Sequence, residues 1–157
     1  MVFVNGHYRA DLSDIEPLPD GVRLASLAQI LEDDPDSLEE YFCDAGDSPA
    51  ALNTAFTADG AVLMIDPGVA LEMPVHLLYL ATAGEDARVN HPRNLIVAGA
   101  GASATVIESY AAAGGGTYWT NSVTDVTVER DAVLRHIKFQ NEGGDGFHLA
   151  ATRAAIA

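Results

Sequence analysis

The apolar positions of the first 60 residues predict a hairpin followed by three short helices. Asn5 and Gly6 separate apolar and aromatic residues, and this pair tolerates the positive φ angles of a type I′ turn. Apolar residues then recur at helical spacing over 22–32, and Pro35 stops this helix. A second helix is expected from residue 36 or 37 to Cys43, and a third over 49–56 with Pro49 in its first turn.

Helical spacing disappears at Ala61, where short apolar runs of β character begin. Turn signals of glycine, proline and aspartate separate these runs, which are 61–65, 75–80, 94–98, 104–110, 122–128, 132–139 and one that begins at 147. Alternate runs recur every 25–33 residues, as Val62, Leu95, Val123 and His148 illustrate. A two-strand unit of that period is typical of one turn of a solenoid, whose inner face is buried against its neighbours.

The pattern therefore predicts a mainly β protein: a hairpin with short capping helices over 1–60, and an incomplete parallel β-helix over 61–157. Inward positions should be Val, Ile, Leu and small residues, because the interior is dry and narrow. A β-sandwich is the alternative, since Val123 has the opposite parity to Val126 and Val128. The ending 154–157 is apolar and uncapped, whereas a solenoid needs a cap at each end, so we expect a piece of a longer protein.

Composition narrows the functional classes. The 157 residues suffice for one domain, and 8 basic against 23 acidic residues make a net charge of −15. Such a surface repels phosphate, so nucleic acid and anionic membranes are poor partners. No apolar run approaches the ~20 residues that span a bilayer, and no secretory signal opens the chain. Cys43 is the only cysteine and forms no internal disulfide, which fits a cytoplasmic location.

Few residues combine into recognisable chemistry. His136 and His148 meet only if neighbouring turns bring them together, and ordinary packing is favoured over a shared metal there. Asp125 and Glu129 share strand parity; two carboxylates on one solenoid face would suit a carbohydrate-active enzyme, although a solvated face is the favoured interpretation. We therefore assign no catalytic, cofactor-binding or metal residue. Cys43 alone lacks the four thiolates of a usual iron–sulfur cluster.

A series of short motifs occurs in a distinctive order. They are Phe-Val-Asn-Gly at 3–6, Leu-Pro-Asp-Gly-Val at 18–22, Ala-Leu-Asn-Thr-Ala-Phe at 51–56, Asp-Gly at 59–60, Pro-Gly at 67–68, Leu-Glu-Met-Pro-Val at 71–75, His-Pro-Arg-Asn-Leu at 91–95, Val-Ile-Glu at 106–108, Asn121, and Ala-Val-Leu-Arg-His at 132–136. Their order and spacing resemble the SufB/SufD family of iron–sulfur cluster assembly proteins over nearly the whole chain. The Phe-Val-Asn-Gly opening favours the SufD branch.

This resemblance implies a fold and a role. The family has a helical N-terminal part, a right-handed parallel β-helix core and a C-terminal helical part; this chain would hold the segment before the core and part of the core. A SufD component is not an enzyme but the partner of the scaffold SufB, and both contact the ATPase SufC. The residues proposed to handle the nascent cluster lie in later turns, so no position here matches them.

Two alternatives to this role remain, together with one expectation about association. The alternatives are a carbohydrate-active β-helix enzyme that uses Asp125 and Glu129, and a purely structural solenoid module.

A solenoid cut within its turns also leaves unpaired strand edges, which pair readily with another chain. We therefore expect self-association near the C-terminal run 147–157.

Overall fold

The computed structural model describes residues 1–15, 17–38, 40–42, 48–82, 84 and 86–157. The helices of this part are α1 (Leu27–Asp33), α2 (Ser48–Phe56) and two 3₁₀ helices, Ala10–Leu12 and Pro35–Leu38. The strands are β1 (Val2–Val4), β2 (His7–Tyr8), β3 (Val22–Ser26), β4 (Ala61–Ile65), β5 (Val75–Thr82), β6 (Arg88–Asn90), β7 (Arg93–Ala98), β8 (Ser103–Ala113), β9 (Tyr118–Val128), β10 (Val133–Asn141) and β11 (Gly146–Ile156). Within these described ranges no helix is long and apolar enough to cross a membrane.

The N-terminal hairpin and the helix α2 are confirmed. β1 and β2 pair antiparallel, and the turn between them has φ of 49° at Asn5 and 82° at Gly6, as a type I′ turn requires. The helix α2 begins one residue before Pro49, which occupies its first turn. At both places the backbone follows from local residue preferences, so local signals were sufficient.

The helix predicted over 22–32 is wrong for its first half. Residues 22–26 form β3, which pairs antiparallel with β4, with Ser26 opposite Ala61. The helix α1 begins only at Leu27, where the Ser26 hydroxyl accepts a hydrogen bond from the Gln29 N–H at 3.3 Å. Val22 and Leu24 fit strand alternation as well as helical spacing, and pairing with β4 decides between the two.

The second predicted helix is present only as the 3₁₀ turn Pro35–Leu38 among the described residues. The Ser37 N–H donates to the Asp34 carbonyl, and the Tyr41 N–H donates to the Leu38 carbonyl. Both bonds span three residues, which is the spacing of a 3₁₀ rather than an α-helix. The predicted position of Cys43 at the end of this helix lies outside the described residues.

The strands from β4 onward wind into a β-solenoid of about three turns, which confirms the predicted mainly β, parallel architecture. One sheet has the order β10-β8-β5-β1-β2 and the other has the order β11-β9-β7-β4-β3, with β6 beside β9. Neighbouring strands of successive turns are parallel, which rules out the antiparallel sandwich. The division into 1–60 and 61–157 stays a prediction.

The register agrees with the predicted repeat at its start and departs from it later. Val62 lies opposite Leu95, as the 33-residue spacing predicted. Leu95, however, lies opposite Asp125 rather than Val123. Aligning apolar with apolar residues misplaced this strand, because its outward side carries a charge at that register position.

Two apolar clusters stabilise the fold. The first fills the interior between the sheets and includes a column of three stacked rings, with centroids 4.8 Å apart between Phe3 and Tyr79 and 4.9 Å apart between Tyr79 and Tyr110. The second lies outside the sheet of β4 and β7, where Leu27 and Ile30 of α1 cover Val62 and other outward residues. All six residues of β7 are therefore buried.

Asp59 and Gly60 join the N-terminal segment to the solenoid. The Asp59 carboxylate accepts hydrogen bonds from the Ser26 hydroxyl at 2.8 Å, the Ala28 N–H at 3.1 Å and the Tyr8 N–H at 2.9 Å. It therefore ties the hairpin to the start of α1. A Cβ atom on Gly60 would lie only 1.8 Å from the Arg93 carbonyl oxygen, so the close contact of β4 with β7 requires glycine here.

Candidate functional site

The interior of the later turns contains a polar cluster where the sequence predicted only apolar and small residues. Glu108 points inward from β8 and is fully buried. Two basic side chains of β10 approach it: His136 Nε2 lies 2.7 Å from one carboxylate oxygen, and Lys138 Nζ lies 3.0 Å from the other. The Tyr110 hydroxyl also donates to this carboxylate, and the Thr124 hydroxyl of β9 donates at 3.1 Å.

Strand parity and register build this cluster. Alternate residues of β8 face inward, which places Val106, Glu108 and Tyr110 on the interior side. β10 pairs with β8 so that Lys138 lies directly opposite Glu108 and His136 lies opposite Val106. Opposite charges thus meet across adjacent strands, the arrangement that stabilises a sheet pair. Since the carboxylate contacts residues of β9 and β10, it links both sheets.

The electrostatics keep Glu108 ionised. Burial by itself raises the pKa of a carboxyl group, but here the hydrogen bond from His136, the charge of Lys138 and the Tyr110 hydroxyl lower the pKa of Glu108 to about 2. An ionised carboxylate only accepts hydrogen bonds, so His136 Nε2 carries the proton between the two groups. Glu108 is therefore unsuited to act as a general acid near neutral pH.

His148 approaches the same cluster from β11. Its ring meets the edge of Tyr110 at a centroid distance of 4.5 Å, and its Nδ1 lies 2.8 Å from the Glu142 carboxylate. Burial lowers the pKa of His148 despite the opposing influence of Glu142. The solenoid thus brings His136 and His148 into one cluster, but each pairs with its own carboxylate. Among the described residues, no group of three or more His, Cys, Asp or Glu side chains is placed to hold a metal ion.

Asp125 and Glu129 do not form the carboxylate pair that a glycan-cleaving enzyme would need. Asp125 lies on the outer face of β9 between Arg93 and Arg153, with nitrogen–oxygen distances of 3.0 Å and 2.7 Å. The Arg93 guanidinium is itself buried under the Phe42 ring, 4.8 Å from its centroid. Glu129 follows the end of β9 and is exposed. Asp125 therefore acts as a structural counterion.

Buried asparagines attach α2 to the corner of the solenoid. The Asn53 amide donates to the carbonyls of Pro92 at 2.9 Å and Asn121 at 2.8 Å, and the Asn121 amide returns a bond to the Pro49 carbonyl at 2.9 Å. Asn94 accepts hydrogen bonds from the Ala61 N–H and the Tyr79 hydroxyl. These asparagines belong to the motifs that suggested the family, but the sequence alone did not assign them this role.

The remaining histidines lie apart from the cluster. His91 stacks on Phe56 at a centroid distance of 5.7 Å and meets the edge of Trp119 at 5.8 Å, and burial lowers its pKa. His76 faces outward from β5, with Nε2 at 2.9 Å from the Ser109 hydroxyl. His7 is exposed at the hairpin.

Comparison with protein families assigns both parts of the chain. Residues 1–77 match the SufBD protein N-terminal region, and residues 79–157 match the SufBD core domain of the SUF system for FeS cluster assembly. The two matches follow one another without overlap and together cover nearly every residue.

Curated relatives agree with this assignment. The chain is 30% identical to an iron–sulfur cluster assembly SufBD family protein of Synechocystis sp. over 99% of its own length and 37% of the relative's. It is 27% identical to the chloroplastic protein ABCI7 of Arabidopsis thaliana over 86% of its own length and 30% of the relative's. The chain therefore spans about a third of the length of these relatives. These matches agree with the β-solenoid fold expected from the family resemblance. The chain belongs to the SufBD family of iron–sulfur cluster assembly proteins.

Proposed function

We propose that the chain is part of a SufD-like component of the SUF assembly complex, where it acts as the scaffold partner of SufB. The observation that supports this proposal is that the SufBD N-terminal match over 1–77 is followed directly by the SufBD core match over 79–157, and that the core match lies within the β-solenoid. The Phe-Val-Asn-Gly opening, which forms the β1–β2 turn region, supports SufD over SufB. SufC would be the second partner of the longer protein.

The role that we propose is structural rather than enzymatic. Glu108, the most deeply buried carboxylate among the described residues, is ionised and surrounded by donors, and Asp125 is held between two arginines. The low pKa of Glu108 makes it unsuited to act as a general acid or base near neutral pH, and both carboxylate oxygens of Asp125 already accept hydrogen bonds from arginines. The chain would thus shape and support further parts of the protein that handle the cluster, in the cytoplasm. A bare structural solenoid module is compatible with this role.

The test is co-expression of the full-length protein with its candidate SufB and SufC partners, followed by affinity capture and size-exclusion chromatography. We expect the three proteins to elute together. An unrelated acidic β-solenoid protein serves as the control for nonspecific capture. Elution of this protein alone, while SufB and SufC still associate with each other, would contradict the proposal. Release of reducing sugars from polysaccharides that is lost in Glu129→Gln, at an exposed position, would instead favour the carbohydrate-active alternative.

A further inference from the structure

A groove of about 690 Å³ lies between residues 12–15 and 17–19 on one side and residues 70–78, which include the start of β5, on the other. Its lining is mainly apolar, and several of these side chains are exposed: Leu12 by 51%, Ile15 by 39% and Met73 by 69%. Leu18 and Leu78, both half-buried, add to this apolar lining. Exposed apolar surface gathered in a concave site is typical of a binding surface rather than of an ordinary protein exterior.

Each wall of the groove is anchored by hydrogen bonds to the backbone at one residue, Ser13 on one side and Leu71 on the other. On one side the Ser13 hydroxyl accepts a hydrogen bond from the Val2 N–H and donates to the Arg9 carbonyl, both at 2.8 Å. On the other side the Leu71 N–H donates to the Ser103 carbonyl at 2.8 Å, which anchors the connector before β5 to β8. These two anchors lower the free energy that a ligand would lose in ordering the walls around Ser13 and Leu71.

The charges that line the groove are mostly negative. Asp14 and Glu72 are both exposed there, and no salt bridge within the described part of the chain involves either carboxylate. No lysine or arginine is among the described residues that line the groove, and the Met1 amino group already donates to the His76 carbonyl at 2.7 Å. The whole chain carries a net charge of −15, so the surrounding field also attracts cations.

We propose that this groove binds a basic amphipathic helical segment of a partner protein. Apolar side chains at positions i, i+3 or i+4 and i+7 of that helix would cover Leu12 and Met73, while flanking lysines or arginines would pair with Asp14 and Glu72. The site is separate from the interior cluster around Glu108, and the proposal goes beyond the role in the SUF complex. It stands or falls independently of that role.

The probe is a fluorescein-labelled helical peptide of about four turns with a leucine face and flanking lysines, measured by fluorescence anisotropy. Replacing the exposed side chains Leu12 and Met73 together by serine should weaken its binding by about tenfold. Phe56→Ser is the matched control, because Phe56 is 64% exposed and lies outside the groove. It should leave the affinity unchanged, and circular dichroism checks that each variant is folded.

Charge is tested with a second peptide in which every lysine is glutamate. It should bind the wild type at least about tenfold more weakly, and Asp14→Asn with Glu72→Gln should remove most of this preference. The control is Glu129→Gln with Asp131→Asn, which changes the net charge equally at exposed positions away from the groove. This control should retain the preference.

Several results would overturn the proposal. A third peptide, with serine in place of leucine, that binds as tightly as the leucine–lysine peptide would reveal nonspecific attraction to an acidic protein. Unchanged binding in the Leu12→Ser, Met73→Ser variant would place the contact elsewhere. Saturable binding of dodecylammonium without the peptide would assign the groove to a small amphiphile. A homodimer that this double variant abolishes would assign it to a second copy of the chain.

Discussion

Replacing Glu108 with glutamine should destabilise the fold by about 3 kcal/mol at neutral pH. Glutamine keeps the shape of the side chain but removes the negative charge that Lys138 neutralises at 3.0 Å and that a hydrogen bond from His136 stabilises at 2.7 Å. The pKa of Glu108 falls from an ordinary value of 4.5 to about 2, and this difference corresponds to about 3 kcal/mol in favour of the ionised native state. Loss of one partner of a buried ion pair costs a similar amount.

Urea denaturation followed by circular dichroism, repeated over a series of pH values, measures this contribution. Because the pKa of Glu108 is lower in the folded than in the unfolded state, the stabilisation is fully present above about pH 4.5 and is lost as the pH falls toward 2. The difference in the free energy of unfolding between the wild type and Glu108→Gln should therefore narrow over that interval. The control is Glu129→Gln at an exposed position, and its free energy of unfolding at neutral pH should equal that of the wild type.

Two outcomes would refute this reasoning. The first is a Glu108→Gln variant within about 0.5 kcal/mol of the wild type at neutral pH, the range of an ordinary surface change. The second is a difference in the free energy of unfolding that is as large at about pH 3 as at neutral pH. The variant would then lose stability through packing rather than through charge. A second substitution, Lys138→Met, should restore part of the stability by removing the unpaired cation.

Three further predictions concern the structural framework and association. Gly60→Ala should destabilise by about 3 kcal/mol, because its Cβ would lie 1.8 Å from the Arg93 carbonyl oxygen, whereas Gly115→Ala, with open space around it, should be nearly neutral in thermal melts. Asp125→Ala should cost about 3–5 kcal/mol in urea denaturation by leaving buried Arg93 uncompensated. The double change Asp125→Leu with Arg93→Met should recover much of that loss, and additive losses would contradict the ion-pair account. Light scattering of this chain at moderate salt should show self-association near the C-terminal run 147–157, because β11 is the outermost described strand of its sheet, and Phe147→Lys should weaken it; a strict monomer would refute this.

The features predicted correctly from the sequence depend on local chemistry or on the repeat. Asparagine and glycine tolerate the positive φ angles of a tight hairpin turn, so Asn5 and Gly6 were enough to predict the first turn. The solenoid followed from alternate strands that recur at a nearly constant period, which an antiparallel sandwich does not require. Both patterns can be recognised in the sequence without knowledge of the tertiary contacts.

Features decided by partners distant in the chain were missed. Val22 and Leu24 satisfy two periodicities, and only the presence of β4 makes them a strand. The register of β9 was also misassigned, because the apolar residue Val123 lies opposite Arg93 and the charged residue Asp125 lies opposite Leu95. Aligning apolar residues with apolar residues gives the wrong register for a strand whose outward side carries an ion pair.

The interior cluster shows what a known period adds to the interpretation of charged residues. Glu108 and Lys138 are 30 residues apart and lie directly opposite each other, so one turn of the solenoid separates them in sequence and one strand spacing separates them in space. Opposite charges at one repeat length therefore indicate a structural pair between turns rather than a catalytic constellation. A shift of β10 by one residue would turn Lys138 to the outer face and leave Glu108 buried without this counterion, at a cost of several kcal/mol. An apolar interior would penalise that shift less, because several outward residues of β10 are also apolar. The buried pair thus favours a single register where the apolar pattern of β10 is ambiguous.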